Sequence, residues 1–278
     1  MKVAVDGELL DDDAARISPF DHGLLVGDGV FETLRVYGGV PFAWTRHAAR
    51  LARSAGGLGL GVPAEVELRK AADEVIAANE VHEGRVRITV TGGPSPLGSE
   101  RGDAPPTWVV AASPMTPWPP TVDVVVVPWV RNERSAVAGL KTTSYAENVR
   151  ALAAAHEQGA GEAIFANTRG ELCEATGSNV FLVDGGVLRT PPASSGCLLG
   201  VTRALLLELT TRMDIDCEEV TLTPDALRNA DEAFLSSSTR ELHPIGRVDG
   251  ALLAAAPGPV TTRLAAAFTE LVRADPDP

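Results

Sequence analysis

Lysine is nearly absent from this 278-residue chain: of its 24 basic residues only Lys2, Lys70 and Lys141 are lysines, leaving 21 arginines. Arginine keeps its charge at any ordinary pH, whereas a lysine amine can be desolvated, deprotonated and used as a nucleophile or imine-former. Most surface lysines only pair with a nearby acid, so what matters is whether one of the three sits where chemistry needs an amine. Cysteine is equally scarce. Cys173, Cys197 and Cys217 are odd in number and show no CxxC or Cys/His ligand spacing, which excludes a disulfide framework, makes a zinc or other metal site unexpected and suits a reducing compartment. Positive charge is short too, with a formal net charge of −13. That argues against nucleic acid and an anionic membrane surface as partners, though not against a locally cationic pocket. No run approaches the roughly 20 apolar residues a membrane helix needs. The opening MKVAVDGELLDDDAA is too acidic for a signal peptide. The expected location is the cytoplasm.

What is present is a mixed α/β pattern, long enough for a sizeable core. Val3 to Leu10 reads as two strands joined by an Asp-Gly turn, and Phe31 to Trp44 as a hairpin turning at Gly38 and Gly39. Thr45 suits an N-cap for a helix RHAARLARSAGG stopped by its glycines, and a second helix is predicted from Ala64 to Asn79. Strands VRITVTG and TWVVAA follow. SPMTPWPP, Ser113 to Pro120, carries four prolines in eight residues and marks the expected linker between domains 1–112 and 121–278. Beyond it come a buried strand VDVVVVPWV, a helix from Ser144 to Gln158 and short strands with tight turns to about Pro191. Helices at 202–212, 225–229 and 260–273, a strand EAFLSSS and a loose tail ADPDP complete the reading.

Three clusters of small polar residues stand out. In SSGCLLGVTRALLLEL, Gly200, Val201 and Thr202 open a helix whose unpaired N–H groups suit a phosphate, though any N-cap threonine looks similar. FLSSSTRELHP offers four hydroxyls in a row, Ser236 to Thr239, after an apolar strand. CEATGSNVF sets Glu174 before a small-residue turn, where a lone glutamate is ordinarily just solvated. Together they suit one ligand: its phosphate wants N–H groups and hydroxyls, its aldehyde a lysine, and its ring nitrogen a carboxylate. That ligand is pyridoxal 5′-phosphate. Neither GxGxxG after a strand nor GxxxxGK[ST] occurs, so dinucleotide and nucleoside triphosphate readings fail at the first step. Gly-Asp-Gly at 27–29 reads equally well as a plain turn.

From DHGLLVGDGVFETLRVYGG through HAARL, KTTSYAEN, ELCEATGSNVFLV and GVTR to SSSTRELHPI, the chain resembles the class IV (fold type IV) aminotransferases. The resemblance implies a small N-terminal α/β domain, a larger C-terminal pseudo-barrel domain, a homodimer, and pyridoxal 5′-phosphate as cofactor. It implies that Lys141 carries the cofactor covalently and shuttles a proton, and that Glu174 binds the pyridine nitrogen. It also implies that Arg50, Val201, Thr202 and Ser238 hold the phosphate. The 18 residues from Lys141 to Gly159 resemble the D-amino acid transaminase and aminodeoxychorismate lyase branches, and Glu32 in GDGVFE resembles the first of these more than the lyase. Two departures bear on substrate binding: Phe31 stands where that branch has a tyrosine, and PSPLGSERG lacks its Arg-x-His carboxylate trap. Arg101 is either a substitute or a solvated loop residue, and backbone N–H groups near Ser238 and Thr239 are the other candidates. The expected activity is amino transfer from a D-amino acid to pyruvate or 2-oxoglutarate, with side activity on an (R)-amine. The alternatives are a 4-amino-4-deoxychorismate lyase, a branched-chain aminotransferase, and a catalytically idle cofactor-binding regulator.

Overall fold

The computed structural model describes residues 1–278, which divide into two compact units. One comprises Met1–Thr116 together with Leu140–Tyr145 and Asp275–Pro278, the other Pro117–Gly139 and Ala146–Ala274. A contiguous division at 113–120 differs from this in three places. The six residues around Lys141 and the last four of the chain lie with the first unit, and strand β6 below takes in Ser113 and Pro114.

The first unit contains β1 (Lys2–Val5), β2 (Glu8–Asp11), α1 (His22–Val26), β3 (Gly29–Tyr37), β4 (Val40–Pro41), α2 (Trp44–Leu58), α3 (Glu65–Ala78), β5 (Gly84–Thr91) and β6 (Thr107–Pro114). Its strands form one sheet in the order β2-β1-β6-β5-β3-β4. Asp6 and Gly7, both at positive φ, make the expected turn between β1 and β2. Alternation along β3, β5 and β6 sends Val30, Leu34, Val36, Val86, Ile88, Val90 and Val110 into a core with Leu51 and Ala55 of α2 and Leu68, Ala72, Val75 and Ile76 of α3. Each fully buried aliphatic side chain there contributes about 1.5–3 kcal/mol.

Helix α2 departs from expectation at both ends. It begins at Trp44, and Thr45 lies inside its first turn. The cap is supplied by the tail: the Asp277 carboxylate accepts from the Thr45 N–H at 2.9 Å and from its hydroxyl at 2.6 Å. The Ala43 N–H donates to the Pro276 carbonyl at 2.7 Å, so the tail is fixed rather than loose. Gly56 and Gly57 stay helical, and left-handed Gly59 ends the helix. Their intrinsic cost of about 1 kcal/mol each is overridden by the packing of the helix's inner face.

The second unit contains β7 (Val122–Arg131), α4 (Ala146–Glu157), β8 (Glu162–Asn167), β9 (Leu172–Ala175), β10 (Asn179–Asp184), β11 (Val187–Thr190), α5 (Val201–Arg212), β12 (Cys217–Glu219), α6 (Pro224–Arg228), β13 (Glu232–Ser237), β14 (Glu241–Val248), β15 (Ala251–Leu252) and α7 (Pro259–Ala274). Its sheet runs β12-β11-β10-β13-β14-β7-β8-β9, with β15 on β14; β14 and β8 flank β7 in parallel while β13 pairs antiparallel with its neighbours. Val124, Ile164, Val180, Leu182, Leu235 and Ile245 lie in its core. No helix is long and apolar enough to cross a membrane.

Candidate active site

Lys141 is placed by its backbone. Its carbonyl accepts from the Phe31 N–H at 3.1 Å, its own N–H donates to Ser54 Oγ at 3.1 Å, and the Thr143 N–H donates to the Gly29 carbonyl at 2.8 Å. The segment thus lies along the start of β3. A Cβ at Gly29 would stand 2.8 Å from the Val90 carbonyl and 2.9 Å from Thr143 Oγ1, so glycine is needed for this approach. Gly-Asp-Gly is therefore more than a turn. Lys141 Nζ sits 4.3 Å from the Phe31 ring centroid and 5.9 Å from that of Tyr145. The other two lysines, half-buried Lys2 and exposed Lys70, are paired with acids, Lys2 with Asp11 at 2.9 Å and Lys70 with Glu74 at 3.7 Å.

Arg50 lies one turn from His47 on the inner side of α2, and both meet the fully buried Glu32. Arg50 Nε and Nη2 each donate to a different Glu32 oxygen at 2.7 Å, and His47 Nδ1 is 2.7 Å from the second. Burial alone would raise the Glu32 carboxyl; the Arg50 charge, its hydrogen bonds and His47 outweigh that and hold it at about 2. Burial pushes His47 down, so the neutral ring donates its Nδ1–H to the carboxylate.

Arg101 is committed within the chain. Nε and Nη2 fork onto the two Asp28 oxygens at 2.6 Å each, and Nη1 donates to the Gly59 carbonyl at 3.0 Å. Asp28 also takes His22 Nδ1 at 2.7 Å, while His22 Nε2 lies 3.1 Å from the Gly98 carbonyl. This geometry clasps Arg101 to Asp28 and to the Gly59 carbonyl.

In the second unit Glu174 lies on β9 opposite Phe165. Far from being solvated, it keeps only 12% side-chain exposure, with Oε1 3.2 Å from Arg131 Nε and Oε2 accepting from the Leu198 N–H at 2.9 Å. Val201 and Thr202 are the first residues of α5, whose N-cap Gly200 offers no side chain to the free N–H groups. A Cβ at Gly200 would collide with Asn179 Oδ1. Ser238 follows β13, and the Thr239 carbonyl accepts from Trp118 Nε1 at 2.9 Å. Ser178 and Ser236 bury hydroxyls that have no hydrogen-bond partner, a cost a polar ligand would remove. No cluster of His, Cys, Asp and Glu able to hold a metal occurs.

An amine beside aromatic rings, a fixed carboxylate, and an uncapped helix end with orphaned hydroxyls are what a pyridoxal 5′-phosphate enzyme asks of its chain. The class IV amino-transferase family model matches residues 29–248, and the chain belongs to that family, which uses pyridoxal 5′-phosphate. It is 34% identical to a Methanocaldococcus jannaschii protein named only provisionally as a branched-chain-amino-acid aminotransferase, over 91% of this chain and 90% of that one. It is 34% identical to a D-alanine aminotransferase of Listeria monocytogenes, over 97% and 96% of the two. The branched-chain aminotransferase of Thermoproteus uzoniensis, solved with norvaline, superposes with a TM-score of 0.91 at 33% identity, covering 98% of this chain and 94% of that one. The fold is the type IV aminotransferase fold.

The structure brings Lys141 and Phe31 together, and it sets Arg50 on a buried carboxylate. Sequence reasoning missed what holds these groups: His47 beside Arg50, Arg131 beside Glu174, and Asp28 beneath Arg101. It also missed Arg87, whose guanidinium carbon is 3.7 Å from the Phe31 ring centroid. Of these, only the i, i+3 spacing of His47 and Arg50 was a usable signal.

Proposed function

We propose that this protein moves the amino group of a D-amino acid onto a 2-oxo acid such as pyruvate or 2-oxoglutarate. The observation that carries the reading is likeness to D-alanine aminotransferases along nearly the whole of both chains. Donors with the L configuration are the second reading, favoured by an equal identity to the protein named as a branched-chain aminotransferase.

When bound, pyridoxal 5′-phosphate supplies an electron-withdrawing ring that stabilises negative charge at the substrate α-carbon. The remaining work falls to the chain. Lys141 holds the cofactor and moves a proton at Nζ. Glu174 would hold the ring nitrogen, its carboxylate being fixed by Arg131 and the Leu198 N–H. The Val201 and Thr202 N–H groups, Ser238 and Arg50 hold the phosphate, Glu32 setting the orientation of Arg50. Phe31 walls the substrate, and Thr239 offers backbone N–H. A homodimer in the cytoplasm completes the reading, and sedimentation gives the subunit count.

The deciding experiment follows the visible absorption of the holoenzyme in single half-reactions with D-alanine, D-glutamate, L-leucine and (R)-1-phenylethylamine. D-amino acids are expected to convert the cofactor fastest, with a weaker response to the amine. A clear preference for L-leucine overturns the D-donor reading. Silence toward every donor, with pyruvate released from aminodeoxychorismate, replaces amino transfer by the lyase.

A further inference from the structure

Arg87 lies on β5 opposite Thr33, and Thr89 lies opposite Phe31, so Arg87 is the diagonal neighbour of Phe31 on the sheet face away from the core. Its guanidinium carbon stands 3.7 Å from the Phe31 ring centroid, a close cation–π contact. Its Nε donates to Thr89 Oγ1 at 3.2 Å. No carboxylate pairs with it, whereas Arg35, Arg50, Arg69 and Arg101 of the same unit each hold one. Lys141 Nζ touches the same ring at 4.3 Å, so the two cationic centres are no more than about 8 Å apart. No acidic residue alternates onto this face of β3, β5 or β6.

The geometry points to Arg87 as the residue that binds the α-carboxylate of the amino-acid substrate, a role that rests on amino acids being the donors but not on their configuration. An α-amino acid carries its carboxylate one bond from the carbon whose proton Lys141 must reach. A cation already stacked on the ring beside that lysine gives the carboxylate a fixed, charge-assisted partner with little side-chain ordering left to do. The Arg101 fork is already engaged by Asp28, whereas Arg87 holds no carboxylate. Arg87 therefore sets the preference for amino acids over amines that lack a carboxylate.

The test is Arg87→Gln and Arg87→Lys in the holoenzyme. Two readouts are taken: the half-reaction with whichever of D-alanine and L-leucine the wild type prefers, and the visible-band titration with propionate, an unreactive carboxylate. Arg87→Gln is expected to weaken both about 10- to 100-fold, the scale of one lost charge-assisted partner, with the cofactor band and thermal midpoint unchanged. Arg87→Lys recovers part of the loss. Unchanged propionate binding overturns the assignment, as does a loss accompanied by loss of cofactor or a matching fall in midpoint. A wild type that prefers L-leucine would change the donor reading and leave this test intact.

Discussion

Phe31 and Glu32 are consecutive on β3, point to opposite faces of the sheet, and have opposite electrostatic surroundings. On the core side Glu32 is fully enclosed, and its charge is met by the Arg50 fork and the His47 N–H. On the other side Phe31 carries Lys141 Nζ and the Arg87 guanidinium with no acid among the neighbouring strand residues. A buried ion is tolerated only when matched, so the core side is complete within the chain. On the outer side Arg87 holds no carboxylate of the chain, the feature behind its proposed role toward the substrate.

The largest effect comes from breaking the outer side. Lys141→Ala should remove covalent cofactor attachment and nearly all turnover, while Lys2→Ala and Lys70→Ala leave both intact; visible absorption and a steady-state assay read the difference. Breaking the core side should cost stability first. Glu32→Ala leaves Arg50 buried without its carboxylate, a loss of about 3–5 kcal/mol in denaturant unfolding. Because the Glu32 carboxyl sits at about 2, below its ordinary 4.5, its contribution is present above 4.5 and is lost as pH falls toward 2. A denaturation series between those values should show the decline in the wild type and its absence in Glu32→Gln.

Smaller effects sharpen the frame around both sides. Asp277→Ala removes the distant cap of α2, the helix that carries His47 and Arg50, and should cost about 0.5–2 kcal/mol in the same unfolding measurement. His22 has an acceptor at each ring nitrogen, Asp28 at Nδ1 and the Gly98 carbonyl at Nε2, so the imidazolium satisfies both. The hydrogen bonds to Asp28 and Gly98 raise its pKa above 6.5 against burial and the Arg101 charge. Its stabilisation is therefore full below pH 6.5 and lost as pH rises through the folded value. Thermal midpoints from about pH 6 to 9 should fall in the wild type and stay flatter in His22→Phe.

Periodicity made most of the fold legible: α3 and the hairpin at Gly38 and Gly39 lie where the pattern puts them, because their signals are local. Strand β14 was not legible, since Pro244 and Gly246 look like breakers; its register against β7 shifts at Gly246, and Pro244 sits opposite Phe234 of β13. The start of α2 was misread because its cap comes from Asp277, 232 residues away. Lys141, Glu174 and the head of α5 stood out through residue type and neighbouring small residues. Arg87 did not, since in RVRITVT it shares both its alternation and its exposure with Arg85, and nothing in that run marks the one stacked on Phe31.

With only three lysines in the chain, borohydride reduction of the holoenzyme followed by peptide mass mapping tests the central assignment most directly. The reduced cofactor should be found on the peptide containing Lys141 alone. Recovery of the label on Lys2 or Lys70, or of no labelled peptide from an active preparation, would contradict it.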